Sequence, residues 1–127
     1  MKVLIKDALI LHKGSPYHRK KKDILISNGK IKKIDIGIKE EGKVISGKRL
    51  MVSIGWFDMR ANFSDPGQEH KEDVLTGCDT AAAGGFRGVA LLPNTKPVIQ
   101  SKNDISYVLS KAQRCLTDVY PYGSITK

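Results

Sequence analysis

Between residues 54 and 125 the chain alternates three short apolar runs with two amphipathic stretches, and this alternation restricts the fold more than any other feature. Parallel strands cannot be joined by a tight turn; they need a crossover of roughly a dozen residues or more, usually a helix. Such crossovers are right-handed, so a β-α-β-α-β order predicts a parallel sheet with helices packed on it. The apolar runs cover 54–63, 88–93 and 118–125. In parallel sheets function gathers at the carboxyl ends of the strands. Here those ends are 60–67, 94–96 and 123–127.

The first helix is expected over 69–83. Glu69, Glu72 and Asp73 stand near its start, where they complement the helix dipole, and Gly84-Gly85 stops it. Val74, Cys78, Ala81 and Ala82 fall on one face, with Cys78 as a small core residue. The second helix begins at Ser101, with Asp104 three residues on as a capping-box partner. Its apolar stripe is Ile105, Val108, Leu109, Ala112 and Leu116.

Residues 1–50 follow other rules. They hold 14 of the 22 basic and 5 of the 13 acidic side chains, so the whole net charge of +9 resides there. Val3 and Ile5, then Ala8 and Ile10, repeat with a period near two, as on a half-buried strand. A second strand, 23–27, leads through Asn28-Gly29 into a third, 30–36. Asn-Gly between apolar runs predicts a type I′ hairpin, whose central residues need positive φ. Val44-Ile45 and Met51-Val52 add short strands. Residues 1–52 therefore form a mainly antiparallel, sandwich-type β unit, and 53–127 form the parallel unit.

No apolar run nears the roughly 20 residues of a membrane-spanning helix. Lys6 and Asp7 break the first apolar stretch, so it does not read as a secretory signal, and a cytoplasmic location is expected. Cys78 and Cys115 are too few for a disulfide framework or a four-cysteine zinc site. The loop from His12 to Lys22 is strongly basic, which opens a reading as a nucleic-acid-binding module. Tyr17 is its one aromatic, which favours a solvated basic loop instead. His12 and His18 lack cysteine or carboxylate partners at ligand spacing.

Three segments carry a resemblance. They are Asp58-Met59 with Phe63-x-Asp65-Pro66-Gly67-x-Glu69-x-Lys71-Glu72-Asp73, then Ala82-Ala83-Gly84-Gly85-Phe86, then Pro93-Asn94-Thr95-Lys96-Pro97. Together they resemble the start of a dihydroorotase. Val119-Tyr120-Pro121-Tyr122-Gly123 is similar to the family's third barrel strand, and the leading β unit to its N-terminal β domain. The resemblance implies an α/β fold: a small β domain, then the first three strands and two helices of a (β/α)8 TIM barrel, incomplete in this chain. Such a barrel takes about 250 residues, so an N-terminal piece of a longer protein is expected. It also implies an amidohydrolase of pyrimidine biosynthesis that interconverts dihydroorotate and N-carbamoyl-aspartate on zinc.

The family's first-strand motif is Asp-x-His-x-His-x-Arg, in which two histidines bind zinc and the arginine reads a substrate carboxylate. This chain has Arg60, Asn62 and Ser64 at those positions. A guanidinium has no lone pair to coordinate, and a carboxamide is a poor substitute for imidazole on zinc. A serine hydroxyl cannot form the two-pronged carboxylate clamp. Asn94 matches the family asparagine that helps bind the substrate carboxylate. His70, near the expected first helix, is read as a solvated residue and Asp58 as a structural hydrogen-bonding group. Arg60 needs an anionic partner on the inner face of the barrel mouth.

The expectation is thus a dihydroorotase-like scaffold with a degenerate metal site, binding no zinc itself, in a non-catalytic or structural role. The alternative is an active dihydroorotase in the full-length protein, with a rearranged site. An open parallel sheet also predicts that residues 1–127 are ordered only with a partner: the rest of the barrel, another protomer in a homo-oligomer, or a different subunit. The resemblance implies aspartate transcarbamoylase as one such subunit.

Overall fold

The computed structural model describes residues 1–126, in two compact units, Met1–Ile54 and Gly55–Lys127. In the first unit, β1 (Lys2–Leu11), β2 (Lys21–Ser27), β3 (Lys30–Asp35), β4 (Lys43–Ile45) and β5 (Met51–Ser53) form one five-stranded sheet. All five strands belong to one hydrogen-bonded sheet. β1, β2 and β3 pair antiparallel, whereas β4 and β5 both pair parallel to β1. Asn28 and Gly29 take φ of 50° and 73°, the positive pair that a type I′ turn requires.

The buried positions of β1 are Leu4, Ala8 and Ile10, not Val3 and Ile5. The strand carries one extra residue. Between Ile5 and Ala8 the register against β2 slips by one, and Asp7 sits at φ 49°. Ile5 pairs with Ile24 and Ala8 with Lys22, so the bulge sets Val3, Ile5, Ala8 and Ile10 on one face and Leu4 on the other.

Asp23 holds this bulge. Its carboxylate is buried and accepts the backbone N–H groups of Asp7 and Ile38, each at 2.9 Å. The Asp7 bond, opposed by burial and reinforced by Ile38, keeps the acid below its ordinary 3.8. A lowered folded-state value gives stability that is full above the unfolded value and lost as pH falls through the folded one. Asp23→Asn is therefore expected to weaken the β unit near pH 7. It should also flatten the decline in stability below about pH 4, measured by urea denaturation across pH.

In the second unit β6 (Trp56–Ala61), α1 (Val74–Ala83), β7 (Phe86–Leu91), α2 (Lys102–Ala112) and β8 (Asp118–Pro121) follow in order. The three strands form a parallel sheet ordered β6-β7-β8. Its core joins Ala61, Val89, Leu91 and Val119 of the sheet, and Phe63 just beyond β6, to Val74 and Cys78 of α1 and Val108 of α2.

α1 begins five residues later than the pattern predicts. Glu69 accepts the Gly67 N–H at 2.8 Å, and Lys71 N–H turns back to the Gln68 carbonyl at 2.9 Å. Asp73 is extended and caps the helix, exchanging bonds with Thr76. The acidic residues thus close turns and cap rather than fill the first helical turn. At α2 the Ser101–Asp104 capping box forms as expected. Its apolar stripe is only partly covered: Val108 is buried, but Leu109 is 46% exposed, and Leu116, beyond the helix, 81%. β8 ends at Pro121 rather than 125, and Lys127 lies outside the described residues.

Candidate functional site

The carboxyl ends of β6 and β7 are tied together before any chemistry is considered. Leu92 N–H donates to the Ala61 carbonyl at 2.9 Å, and Lys96 N–H to that of Pro66 at 3.1 Å. Gly67 has φ of 98°, and a Cβ there would fall 1.7 Å from the Lys96 carbonyl oxygen. No other residue permits the two loops to approach so closely. The Asp65–Pro66 and Lys96–Pro97 bonds, one in each loop, are both cis.

Asp65 anchors the first loop. It is fully buried and accepts three hydrogen bonds: from Val74 N–H at 3.2 Å, Tyr107 O–H at 2.8 Å and Lys111 Nζ at 2.7 Å. One carboxylate therefore joins the loop after β6 to the start of α1 and the middle of α2. Lys111 also lies 4.8 Å from the centre of the Tyr107 ring. Sequence reasoning missed this group. Asp65-Pro66-Gly67 reads as loop punctuation, and nothing local connects residue 65 with 107 and 111.

Arg60, Asn62 and Ser64 lie at the end of β6, but Asp58 does not share their face. Asp58 pairs with Val89 and Ala61 with Leu91, so three steps on β6 match two on β7. This bulge puts Asp58 on the face of Val89 and Ala61. Its carboxylate accepts the Arg60 N–H at 2.8 Å, a structural bond that occupies the bulge. Strict alternation from Asp58 to Ser64 is therefore broken at its first step.

Arg60 and Asn62 are exposed and line a cleft of about 420 Å³ beside β6 and α1, with Asp58, Glu72 and Thr80. No ion pair of Arg60 forms among the described residues; Asp58 and Glu72 are the acids in its cleft. Asn94 is exposed at the end of β7 and is not part of this cleft. The hydrogen bond within its loop comes from Thr95, whose hydroxyl donates to the Pro97 carbonyl at 2.7 Å. His70 is exposed in the turn before α1. Arg60 and Asn62 thus line one cleft, and Asn94 stands exposed at the end of β7.

The cleft's donor set does not suit zinc. Two carboxylates, a guanidinium and a carboxamide provide no imidazole or thiolate, and Asp58 is engaged by the bulge. Among the described residues no group of three or more His, Cys, Asp or Glu side chains is placed to hold a metal ion. Among the described residues no helix is long and apolar enough to cross a membrane.

The Asp65 bond raises the Lys111 ammonium above its ordinary 10.5, aided by the Tyr107 hydroxyl and opposed by burial. A raised folded-state value gives stability that is full below pH 10.5 and lost as pH rises through the folded value. Lys111→Met strands a buried carboxylate. It is expected to cost about 2–3 kcal/mol, less than for a fully buried pair because the ammonium is partly solvated. Urea titrations at pH 7 and at alkaline pH check both parts. The loss should shrink in alkali, where wild type forfeits the same bond.

No family model matches the chain. It is 45% identical over 108 residues to the dihydroorotase of Geotalea daltonii, and 44% over 107 residues to that of Aquifex aeolicus. Each match covers 83% of this chain and 25% of the relative, so the chain spans about a quarter of the length of these curated relatives. Among solved structures, a D-hydantoinase aligns with all of this chain and 28% of its own, with a TM-score of 0.77 and 24% identity. That likeness concerns the fold: a small β domain, then the first three strands and two helices of a (β/α)8 barrel. In sequence and in fold the chain is dihydroorotase-like and corresponds to the N-terminal portion of that family's proteins.

Proposed function

We propose that this is a dihydroorotase-like protein whose first barrel strand no longer binds metal and whose role is structural rather than catalytic. The observation that carries the reading is the pair Arg60 and Asn62, side by side in one cleft at the positions of the family's two zinc-binding histidines. A cation repels zinc, and an amide oxygen binds it weakly. Ser64, one residue before the Asp65 anchor, removes the carboxylate-reading guanidinium as well. Asn94 keeps the family's substrate-carboxylate residue, but alone it provides neither a nucleophile nor a Lewis acid.

The test is zinc titration of the purified protein together with metal analysis and anomalous scattering. No metal is expected at Arg60 or Asn62; an ion within coordination distance of either would overturn the reading. Arg60→His with Asn62→His and Ser64→Arg should raise zinc affinity where the rest of the protein keeps the later ligands. Hydrolysis of dihydroorotate by the full-length wild type would instead establish an active enzyme with a rearranged site.

Its partners are proteins that cover the open sides of the parallel sheet, where Phe57, Met59 and Tyr120 are about half exposed or more. The rest of a barrel, a second protomer and aspartate transcarbamoylase are the proposed kinds, in the cytoplasm. Light scattering after size-exclusion chromatography is expected to show the 127-residue chain self-associated or bound. A cooperative monomer with slowly exchanging amides in β8 would contradict this.

A further inference from the structure

Cys78 and Cys115 are 37 positions apart in sequence yet meet in one hydrophobic cluster. Cys78 lies on the buried face of α1 and is fully enclosed. Cys115 follows α2, where its N–H donates to the Ala112 carbonyl at 2.9 Å. Two residues on, the Thr117 hydroxyl donates to the Cys78 carbonyl at 3.1 Å and so fixes this turn against α1. Cys115 packs against the buried cluster that contains Cys78. Their solvent access differs sharply. Cys115 is half-buried and lines a groove of about 330 Å³ with Leu109, Ala112, Thr117 and Tyr120, whereas Cys78 has no exposure.

We propose that Cys78 and Cys115 form a peroxide-driven disulfide switch, with Cys115 the oxidised thiol and Cys78 the resolving one. A hydroperoxide in the groove transfers its distal oxygen to the Cys115 sulfur, giving a sulfenic acid and releasing water from hydrogen peroxide or an alcohol from an alkyl peroxide. The Cys78 sulfur then attacks the Cys115 sulfur. The S–O bond breaks, and the sulfenic hydroxyl leaves as water with the Cys78 proton. Two thiols lose two electrons in total, and the peroxide gains them. Burial, then the neighbouring Cys115 side chain, pushes the Cys78 thiol up to about 12. Attack by Cys78 is therefore the slow step and quickens as pH rises. The product ties α1 to the turn between α2 and β8, the two places where helices cover the sheet. Transient oxidation of this kind is compatible with a reducing compartment.

The full chain treated with hydrogen peroxide, then alkylated and mapped by mass spectrometry, tests the proposal. The expected result is a monomeric product lighter by two hydrogens, with a Cys78–Cys115 cross-linked peptide that dithiothreitol reverses, and a raised thermal midpoint. Cys78→Ala should leave Cys115 as sulfenic and then sulfinic acid. Cys115→Ser, a mild change at a half-buried site, should slow oxidation of Cys78 by roughly tenfold or more. Three outcomes would overturn the switch: Cys115 reaching sulfinic acid while Cys78 stays alkylatable after unfolding, cross-links only between chains, or a disulfide closing equally fast in guanidinium-unfolded protein.

Discussion

Asp65 is the group on which the parallel unit depends. A carboxylate with no solvent exposure is costly unless it is paired and its lone pairs are filled, and Asp65 meets both conditions. Its partners come from the two helices that cover the sheet, so satisfying one charge also sets where α1 begins and how α2 lies beside it. Because Asp65 ends the segment carrying Arg60, Asn62 and Ser64, the geometry of that segment follows from the same bonds. The Gly67 approach to Lys96 extends the constraint to the loop after β7.

The bulge in β6 works against simple alternation. Three residues of β6 span two of β7, and the Asp58 carboxylate takes up the N–H of Arg60. Asp58 is thereby spent on the backbone. What remains at the cleft is a cation and an amide near one further acid, Glu72. Such a set suits hydrogen bonding to an anion or a carbonyl more than coordination of a cation.

Much of the architecture was legible in the sequence because it rests on local rules. The Asn28-Gly29 turn, the Ser101–Asp104 box and the β-α-β-α-β order each depend on residues a few positions apart. The β6 bulge adds a residue that no local pattern announces, so Asp58 leaves the face of Arg60. In β1 the step from Val3 and Ile5 to Ala8 and Ile10 follows the bulge, but Leu4 on the other face is buried as well. The start of α1 was misplaced because acidic residues in the dipole-favoured zone closed turns instead. Asp65, Tyr107 and Lys111 were invisible as a group because tertiary structure alone brings them together. At the candidate site the residue identities at 60, 62 and 64 could be read directly, while the cleft that Arg60 and Asn62 share with Glu72 could not.

The parts that hold the fold and the parts that would carry family chemistry are physically separate. Asp65, Gly67, Phe63 and the helix caps are buried or locked by backbone contacts. Arg60 near the end of β6 and Asn62 just beyond it lie exposed, and their side chains are not among the groups that bind Asp65 or fill the core. Exchanging a ligand at such a position removes no core contact and leaves no buried polar group stranded, so little stability is lost. A scaffold built this way tolerates exchange at residues 60 and 62 while its backbone stays the same. Loss of Lys111 or Gly67, by contrast, would disturb both loops at once.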